Sequence, residues 1–454
     1  MLAGQIIALD TQRHLLLKNQ DIKEMLSSAR PYGAWLEEQM TPLSSVAGGK
    51  RGAPAAQGEG DIRLERAFGY TSEELNLVLA PMATKAIEPI GSMGDDTPLA
   101  VLATHPRLLY SYFKQKFAQV TNPPIDYLRE YIVTSLYTYL GARKSLLEET
   151  PEHARLLFHD SPILTDSELE AIKRLDKPPS EGGKPGLVSR VLSCLFPVAD
   201  GPAGLRPAVE RVCREAEQAV RDGATILVLS DRDVDKDNVP IPMLMAVGAV
   251  HHHLIRQGVR MGASIVAETG EAREMHQLAC LIGYGASAVN PYLGFQCLHH
   301  LLAEGAYPDL TFEKAATNYK VTLEKQILKI MSKMGISAVS AYHGGQIFEA
   351  IGVGKEVIDA CFTGTVSPIG GVGFADIARE TLARHQRAFV EAKEKLDDYG
   401  YYRFRKDGEP HAYNPSMWRA MHKAIESGDT AEYDKYVEQV RSLPPIYLRD
   451  LLEF

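Results

Sequence analysis

Glycine, methionine and aspartate occur together in one short segment, GSMGDDTP at residues 91–98, which has the composition of a ligand-contacting loop. The two glycines permit positive φ angles and a close approach of the backbone to a ligand. Met93 between them offers a soft, polarisable surface. The residues that follow could simply cap a helix, but capping does not account for Met93. The predicted binding loop consists of Gly91, Ser92, Met93, Gly94 and Asp95.

A second group of polar residues follows apolar segments that we interpret as parallel strands. In α/β folds, ligands bind at the carboxyl ends of such strands. In the segment SDRDVDKDN (230–238), acidic residues occur at every second position, as in a calcium-binding loop. Lys236 and Pro242, however, occupy the sixth and twelfth positions, where that loop needs glycine and glutamate. A calcium site is therefore rejected, and an alternative strand-end pocket remains. Its residues are Asp231, Glu268 and Asn290.

Several other motifs lack the context that their chemistry requires. GYGASA (283–288) matches a dinucleotide fingerprint, but a predicted helix precedes it and a strand follows, which reverses the required order. GVGKE (352–356) lacks the first glycine and the Ser or Thr of a phosphate-binding loop. Residues 251–253 are all histidines, but consecutive side chains diverge by about 100° on a helix, so they cannot hold one ion together. We predict no catalytic residue and no metal ligand.

The composition is that of an acidic globular protein. The chain has 454 residues, a formal net charge of −9 and no apolar run of membrane-spanning length. The negative balance argues against nucleic-acid binding, which needs a basic surface. The five cysteines are widely spaced, which is typical of free thiols in a reducing cytoplasm and not of an iron–sulfur cluster. We therefore expect a cytoplasmic protein without a nucleic-acid or membrane partner.

The first part of the chain shows mainly helical patterns. Thr71 and Glu74 form a plausible capping box. Residues 108–120 have apolar side chains at helical spacing, which predicts an amphipathic helix. The predicted elements are a hairpin (5–10 and 14–17), a helix (20–39), a Gly/Ala/Pro/Ser-rich linker (41–61), a mainly helical stretch (63–160) and a second boundary (176–187).

Beyond residue 190, short apolar runs alternate with helical patterns. Continuous apolar strands indicate burial on both faces, and strand–helix alternation indicates right-handed βαβ units with a parallel sheet. This pattern falls short of the eight strands of a full barrel. The predicted fold class is therefore α/β, with an incomplete, barrel-like parallel sheet preceded by a mainly helical segment. The predicted strands are 193–199, 225–230, 264–269, 287–292 and 336–341, followed by charged helices at 374–396 and 416–441.

Several long segments are specific enough to compare with known families. They are EPIGSMGDDTPLAVLAT (88–104), GATILVLSDR (223–232), AETGEAREMHQLACLIGYGASAVNPY (267–292) and KIMSKMGIS (329–337). Together they resemble the central domain of the glutamate synthase large subunit, and RPYGAWLEE (30–38) resembles the end of the glutaminase domain of the same enzymes. The resemblance implies a glutaminase tail (1–40), a linker (41–61), a helical part (62–178), a βα-repeat part (188–345) and a helical connector toward a flavin domain (346–454).

The resemblance also implies a division of the chemistry. In the family, a cysteine nucleophile releases ammonia from glutamine, and the ammonia travels through a tunnel to a flavin barrel that converts 2-oxoglutarate to glutamate. The first cysteine here is Cys194, so we expect the nucleophile outside this chain. No cofactor is expected on this chain, and FMN and an iron–sulfur cluster are expected in a downstream domain. The loop at 91–95 is expected to reach the flavin and 2-oxoglutarate site of that neighbour.

Two functions from different classes follow. The first is a connecting domain of an NADPH- or ferredoxin-dependent synthase, an oxidoreductase of nitrogen assimilation, which would be inactive alone. Its expected partners are the glutaminase and FMN-binding domains and, indirectly, a small subunit or ferredoxin. The alternative is an autonomous small-molecule enzyme on a barrel-like fold, which would act through Asp231, Glu268 and Asn290.

Overall fold

The structure is a computed structural model that describes residues 4–47, 61–89, 94–116, 129–176, 186–303, 307–391, 393 and 395–452. Three residues of the predicted binding loop, Gly91, Ser92 and Met93, lie outside the described residues. Gly94 and Asp95 lie inside them. Most of the predicted linker and most of the second predicted boundary also lie outside.

A small hairpin and two short helices come first. The predicted hairpin is confirmed, and Leu9 pairs with Leu16 in antiparallel register. The single helix predicted over 20–39 is wrong, because Pro31 has no N–H group and disfavours helical backbone in the residue before it. The chain therefore ends one helix and starts another. The elements are β1 (Ala8–Asp10), β2 (Leu15–Leu17), α1 (Asn19–Ser27), α2 (Tyr32–Gln39), β3 (Thr41–Pro42) and α3 (Leu43–Val46).

The region between residues 61 and 176 is less helical than predicted. The capping box is confirmed, since the backbone N–H groups of Thr71 and Glu74 each donate to the other's side chain over 3.1 Å. The helix predicted over 108–120 is wrong: Leu109–Tyr112 form a 3₁₀ turn and a strand follows, because pairing with a distant strand outweighs local periodicity. The elements are α4 (Ile62–Ala67), α5 (Ser72–Glu74) continued by a π-helical turn (Leu75–Leu79) into α6 (Ala80–Lys85), β4 (Phe113–Gln115), α7 (Glu130–Val133), β5 (Thr138–Leu140), β6 (Leu157–His159) and α8 (Asp166–Lys173).

A four-stranded parallel sheet forms the next part, and the predicted α/β class is confirmed. The elements are β7 (Ser189–Ser193), β8 (Leu195–Pro197), α9 (Leu205–Arg221), β9 (Ile226–Ser230), β10 (Asn238–Pro240), α10 (Met243–Arg256), β11 (Ser264–Glu268), α11 (Met275–Gly283), β12 (Ala286–Asn290) and α12 (Tyr292–Ala303). The strand order is β12-β11-β9-β7, and within the described parts of the chain the sheet does not close into a barrel. The strand predicted over 193–199 is misplaced, because β7 ends there and β8 turns away to pair antiparallel with β10.

Alternating residues of the central strands supply two separate cores. Leu227 and Leu229 of β9 belong to the larger core, which includes side chains of α9, α10 and α11. Ile226 and Val228 belong to a smaller core on the other face, together with Leu43 of α3. Burial on both faces explains why the strand is a continuous apolar run. The burial of Leu43 also shows that the predicted linker begins with packed residues.

The C-terminal part is mostly helical. The strand predicted over 336–341 is wrong. Gly335, two residues after the helix Phe312–Lys333, has a φ of +70°, Ala338 forms an isolated bridge with Ser135, and a helical turn follows. The helix predicted over 416–441 is divided at Gly428, whose φ of +63° ends α17. The elements are α13 (Phe312–Lys333), α14 (Val339–Tyr342), β13 (Phe348–Ala350), α15 (Lys355–Cys361), α16 (Phe374–Phe389), α17 (Pro415–Ser427) and α18 (Thr430–Arg441).

The cysteines are free and enclosed. All five are buried, and burial raises the pKa of each thiol. Since the thiolate is the reactive form, none of them is set up as a nucleophile. Across the residues that the structure describes, every helix is too short or too polar to traverse a lipid bilayer.

Candidate functional site

A cavity of about 440 Å³ lies beside Gly94 and Asp95, the described part of the predicted binding loop. Small-molecule sites typically occupy about 300–1,000 Å³, so the cavity is large enough for a metabolite. Arginine and tyrosine side chains dominate its walls, and carboxylates balance the positive charge. The lining residues of these types are Arg66, Arg107, Arg273, Arg384, Arg387, Tyr70, Tyr110, Tyr399, Tyr401, Tyr402, Glu74, Asp95, Asp96, Glu274 and Asp397.

Asp95 organises the described end of the loop. Its carboxylate accepts hydrogen bonds from the backbone N–H of Thr97 over 3.0 Å and from the Thr97 hydroxyl over 2.6 Å. Arg107 in turn donates to that hydroxyl over 3.2 Å, and its guanidinium lies 3.8 Å from the centre of the Tyr401 ring. Asp95 therefore closes a turn instead of capping a following α-helix. The turn is connected to the cavity wall through Arg107.

Asp96 connects the same loop to the C-terminal part of the chain. Its carboxylate lies 2.9 Å from Nδ1 of His411 and accepts the backbone N–H of Tyr413 over 3.1 Å. The other ring nitrogen of His411 is 2.7 Å from the carbonyl oxygen of Gly400. Residues far apart in sequence thus hold the loop from two sides.

Arg273 forms the firmest part of the cavity wall. It follows β11, donates to Glu74 through Nη2 over 2.9 Å and Nε over 3.0 Å, and also donates to the carbonyl oxygens of Phe68 and Gly69. Its guanidinium lies 4.3 Å from the centre of the Tyr70 ring. Burial opposes the charge, but the carboxylate of Glu74 more than offsets it and raises the pKa of Arg273 overall. A buried guanidinium bonded this fully is a rigid element of the wall.

Other cavity-lining arginines keep unused donors. The Nε atoms of Arg66, Arg107 and Arg384 are buried and have no hydrogen-bond partner among the described residues. Burial lowers the pKa of Arg384, in spite of the opposing charges of Glu380 and Glu271. Buried polar groups without partners are uncommon in folded proteins. These three enclosed donors are therefore unsatisfied by the described side chains around the cavity.

The structure brings the strand-end candidates Asp231, Glu268 and Asn290 together. Glu268 stands opposite Asn290 in the pairing of β11 with β12. The backbone N–H of Asp231 donates to the carbonyl oxygen of Glu268 over 3.2 Å. All three residues are 0% exposed, so a ligand could reach them only after the surrounding side chains moved.

Charged partners already occupy these carboxylates. Glu268 binds Arg232 and accepts a hydrogen bond from Lys173 over 2.9 Å. Asn290 donates to Asp166 over 2.9 Å. Burial would raise the pKa of Glu268, but the positive charge of Arg232 lowers it overall. This ion-pair network ties α8 to the carboxyl ends of the strands. Asp166 Oδ2, Glu268 Oε2 and Asn290 Oδ1 are nevertheless buried without a hydrogen-bond partner among the described residues.

Asp231 is the exception in this network, because no cation pairs with it among the described residues. Its carboxylate accepts hydrogen bonds from the Thr269 hydroxyl over 2.6 Å and the backbone N–H of Gly270 over 2.9 Å. Burial, with a contribution from the charge of Glu271, raises the pKa of Asp231 to about 8. Asp231 is therefore the one residue of the three with a strongly displaced titration.

Sequence reasoning missed several residues that the structure places around the candidate sites. Arg273 lies inside AETGEAREM, a segment chosen for its resemblance alone, and its spacing to Glu74 carries no signal. Tyr401 and Arg107 belong to segments without a recognisable motif. Asp166 and Lys173 lie on a helix far upstream of the strands that they contact. Only the fold brings these side chains together.

The whole chain matches known proteins of a single type. Residues 63–354 match the glutamate synthase central domain. A ferredoxin-dependent glutamate synthase of Pyropia yezoensis is 41% identical over 99% of this chain, and the chloroplastic ferredoxin-dependent enzyme of Oryza sativa is 42% identical over the same share. A glutamate synthase [NADH] of Schizosaccharomyces pombe is 37% identical. The chain spans 29%, 28% and 22% of these relatives' own lengths.

The similarity to solved structures is much weaker. A mutant flavocytochrome b2 with pyruvate bound is 13% identical, and the match covers 77% of this chain and 93% of the other with a TM-score of 0.28. A likeness at this level bears on neither ligand nor reaction. The sequence similarity is much stronger, because the domain match and the full-length relatives both identify glutamate synthase. The chain therefore belongs to the glutamate synthase family and carries its central domain.

Proposed function

We propose that this chain is the connecting domain of a glutamate synthase large subunit, between a glutaminase domain and an FMN-binding domain. The observation that carries the proposal is a match over 99% of this chain to only 28–29% of the first two relatives. The remaining length of those relatives leaves room for domains that carry out the two reactions. The proposed whole enzyme makes glutamate from glutamine and 2-oxoglutarate, and this domain helps to line the route of the ammonia.

We assign the FMN and the iron–sulfur cluster to the downstream domain. A cluster needs three or four thiolates close together. The residues that the structure describes contain no group of three Cys, His, Asp or Glu side chains placed to hold a metal. Bound FMN would supply the electrons that reduce the imine of ammonia and 2-oxoglutarate. A small subunit or ferredoxin would then meet the flavin domain and affect this chain indirectly, in a cytoplasmic setting suited to its free thiols.

The loop of Gly91, Ser92, Met93, Gly94 and Asp95 is the part that we propose to face the flavin and 2-oxoglutarate. The contacts of Asp95 and Asp96 support this role, because they hold the described end of the loop beside the cavity through Arg107 and His411. The loop would position groups supplied by the neighbouring domain.

Substitution of Met93 in the full-length enzyme tests this role. Met93→Ala should lower the glutamine-dependent synthase rate by about ten-fold or more, because a displaced reacting group loses much of its orientation advantage. Hydrolysis of glutamine, measured separately, should stay close to normal. Met25→Ala is the matched control, since Met25 on α1 is 47% exposed. Equal synthase kinetics in the two variants would remove Met93 from the site.

The alternative function is an autonomous enzyme that acts at Asp231, Glu268 and Asn290. The adjacency of these residues favours it, and their complete burial argues against it. The absorbance spectrum of the purified chain separates the two functions, because a flavin band would favour the autonomous enzyme. Turnover of glutamine and 2-oxoglutarate by the 454-residue chain with only a reductant added would overturn the connecting-domain proposal.

A further inference from the structure

A second cavity, of about 170 Å³, lies at the amino-terminal end of the parallel sheet. Ser264 is the first residue of β11 and Ser287 is the second residue of β12, and both line this cavity. It is therefore at the opposite end of the strands from Glu268 and Asn290. Its other polar lining residues are Arg143, Arg260, His251, His343 and Ser340, and none of its lining residues is acidic.

Arg260 is fixed in this cavity by neutral partners. Its Nη1 donates to the carbonyl oxygen of Ala263 over 2.7 Å, and its Nη2 donates to that of Gly285 over 3.0 Å. Its Nε donates to Nδ1 of His251 over 2.9 Å. These bonds use three of the five guanidinium hydrogens. The guanidinium plane is thus held in place while two of its hydrogens remain for another acceptor.

The positive charge here has no counter-charge. Among the described residues, no carboxylate acts on Arg260, and no acidic side chain lines the cavity beside Arg143. Burial, followed by the charge of Arg143, lowers the pKa of Arg260 to about 10. Arg260 is partly buried and Arg143 is exposed, and a guanidinium that loses part of its hydration beside a like charge is stabilised by a bound anion. No acidic side chain lines the cavity to supply that negative charge.

The two histidines add unused hydrogen-bonding atoms. Nδ1 of His251 accepts the Arg260 bond, so Nε2 carries the hydrogen of the neutral ring. Nε2 of His343 is fully enclosed and has no partner among the described residues. Burial and the charges of Arg260 and Arg143 lower the pKa of His343 to about 3. Both imidazoles are consequently neutral near pH 7, and the arginines carry the charge.

We propose that this cavity binds a small tetrahedral oxyanion, either inorganic phosphate or the phosphate group of a small ester, through Arg143 and Arg260 and next to His343. The volume of about 170 Å³ is below the range of about 300–1,000 Å³ that drug-sized ligands occupy, so a nucleotide does not fit. Arginine suits a phosphate because its planar fork donates two parallel hydrogen bonds. The Ser264 hydroxyl is already bonded to Gly141, so Ser287 and Ser340 are the hydroxyl donors that remain.

Binding at this position would stabilise the fold. The lining residues come from α10, β11, β12, α14 and the segment after β5, so one anion would connect elements that are distant in sequence. A ligand that binds only the folded state raises the midpoint of unfolding as its concentration rises. The stabilisation should depend on the anion and not on ionic strength alone.

Thermal unfolding of the 454-residue chain tests the proposal. Inorganic phosphate should raise the melting temperature progressively above that in sodium chloride of the same ionic strength. Arg143→Gln should weaken the apparent phosphate affinity by about ten-fold, since one charge-assisted pair is lost. Arg143 is exposed, so this variant should fold. Arg214→Gln, an exposed position on α9, is the matched control and should respond like the unsubstituted chain.

Two further measurements identify the ligand and the residues. Glycerol 3-phosphate matching inorganic phosphate would assign the site to phosphate esters as well, and a response to inorganic phosphate alone would assign it to the free ion. Phosphate should also raise the pKa of His343, followed by NMR of its ring. Equal melting temperatures in phosphate and chloride would overturn the proposal. An equal rise of the melting temperature in Arg143→Gln and Arg214→Gln would also overturn it. So would an equally large rise in glutarate, a dicarboxylate that lacks the tetrahedral geometry of phosphate.

Discussion

At the scale of single residues, a charged partner decides how a buried carboxyl titrates. Glu268 ends β11, Asp231 follows β9, and both are fully buried, yet Arg232 lowers the pKa of Glu268 while burial raises that of Asp231 to about 8. The difference arises because only Glu268 has a cationic partner among the described residues. The pKa of Asp231 therefore differs between the folded and the unfolded chain, so its titration contributes to the pH dependence of stability.

Asp231→Asn should flatten the dependence of stability on pH. The folded pKa of about 8 lies above the ordinary 3.8, so the folded chain keeps a proton that the unfolded chain releases. The stabilisation that this bound proton gives the folded state is complete below about pH 4. It is lost as pH rises through 8, and the free energy of unfolding then falls by at most about 1.4 kcal/mol per pH unit. Urea unfolding between pH 5 and 9 measures the slope. Asp359→Asn, at an exposed position on α15, should leave the slope unchanged; a slope that Asp231→Asn also leaves unchanged would refute the assignment.

The ion pair of Arg273 with Glu74 should be costly to break from one side. Arg273→Met leaves a buried carboxylate without its partner, which should lower the free energy of unfolding by about 3–5 kcal/mol. Adding Glu74→Gln should recover part of that loss, because the uncompensated charge is then removed. Lys355→Met, which breaks an exposed ion pair, should cost less than about 1 kcal/mol. A double variant no more stable than Arg273→Met would contradict this explanation.

At the scale of elements, close packing determines where helices can carry side chains. α10 lies against α15, and a Cβ added to Gly248 would stand 2.5 Å from the carbonyl oxygen of Cys361 and 2.9 Å from the Phe362 ring. Gly33 on α2 has no atom within 4 Å of the same position. Glycine is therefore required by close packing at position 248, whereas at position 33 the structure leaves room for a side chain.

Alanine at these two glycines should change stability in opposite directions. Gly33→Ala should raise the free energy of unfolding by up to about 1 kcal/mol, since alanine has the higher helix propensity. Gly248→Ala should lower it by about 1–3 kcal/mol, because backbone atoms must move to admit the methyl group. Chemical denaturation of the two variants side by side gives both values. Stabilisation by Gly248→Ala would show that α10 and α15 separate easily.

At the scale of the whole molecule, the central strands are buried, whereas some apolar side chains near the first and last described residues are exposed. The central strands are buried on both faces. By contrast, exposed apolar side chains occur on the first hairpin and on the last two helices. Those on α17 and α18 are Trp418 (49%), Ile425 (71%), Tyr433 (49%) and Val440 (41%). Exposed apolar groups of this kind favour contact with a neighbouring domain.

Amide hydrogen exchange should detect that contact. In the proposed full-length enzyme, the amides of α17 and α18 should exchange more slowly than in the 454-residue chain, because a docked neighbour suppresses local opening. The amides of β9 should exchange equally slowly in both proteins and serve as the internal control. Identical exchange of α17 and α18 in the two proteins would exclude docking of the flavin domain on these helices.

Local patterns predicted the βα region well. The predicted strands at 225–230, 264–269 and 287–292 agree with β9, β11 and β12 to within a few residues. Errors arose where distant contacts outweigh local preference. The helix expected over 108–120 is partly a strand because β4 pairs with β13, and the strand expected over 336–341 is a turn and a short helix after Gly335. The partners of these segments, β13 for β4 and Ser135 for Ala338, are distant in sequence and could not be identified from local patterns.

The long motifs identify the family by resemblance. The α/β class and the adjacency of Asp231, Glu268 and Asn290 follow instead from local periodicity and from the rule that parallel strands end at one edge of a sheet. Which side chains meet across the chain depends on tertiary packing. Arg273 bonds Glu74 from 199 positions away, and Arg143 and Arg260 share a cavity without an acid. The physical reason is that backbone preferences act between near neighbours, whereas charge pairing and burial depend on how whole elements pack.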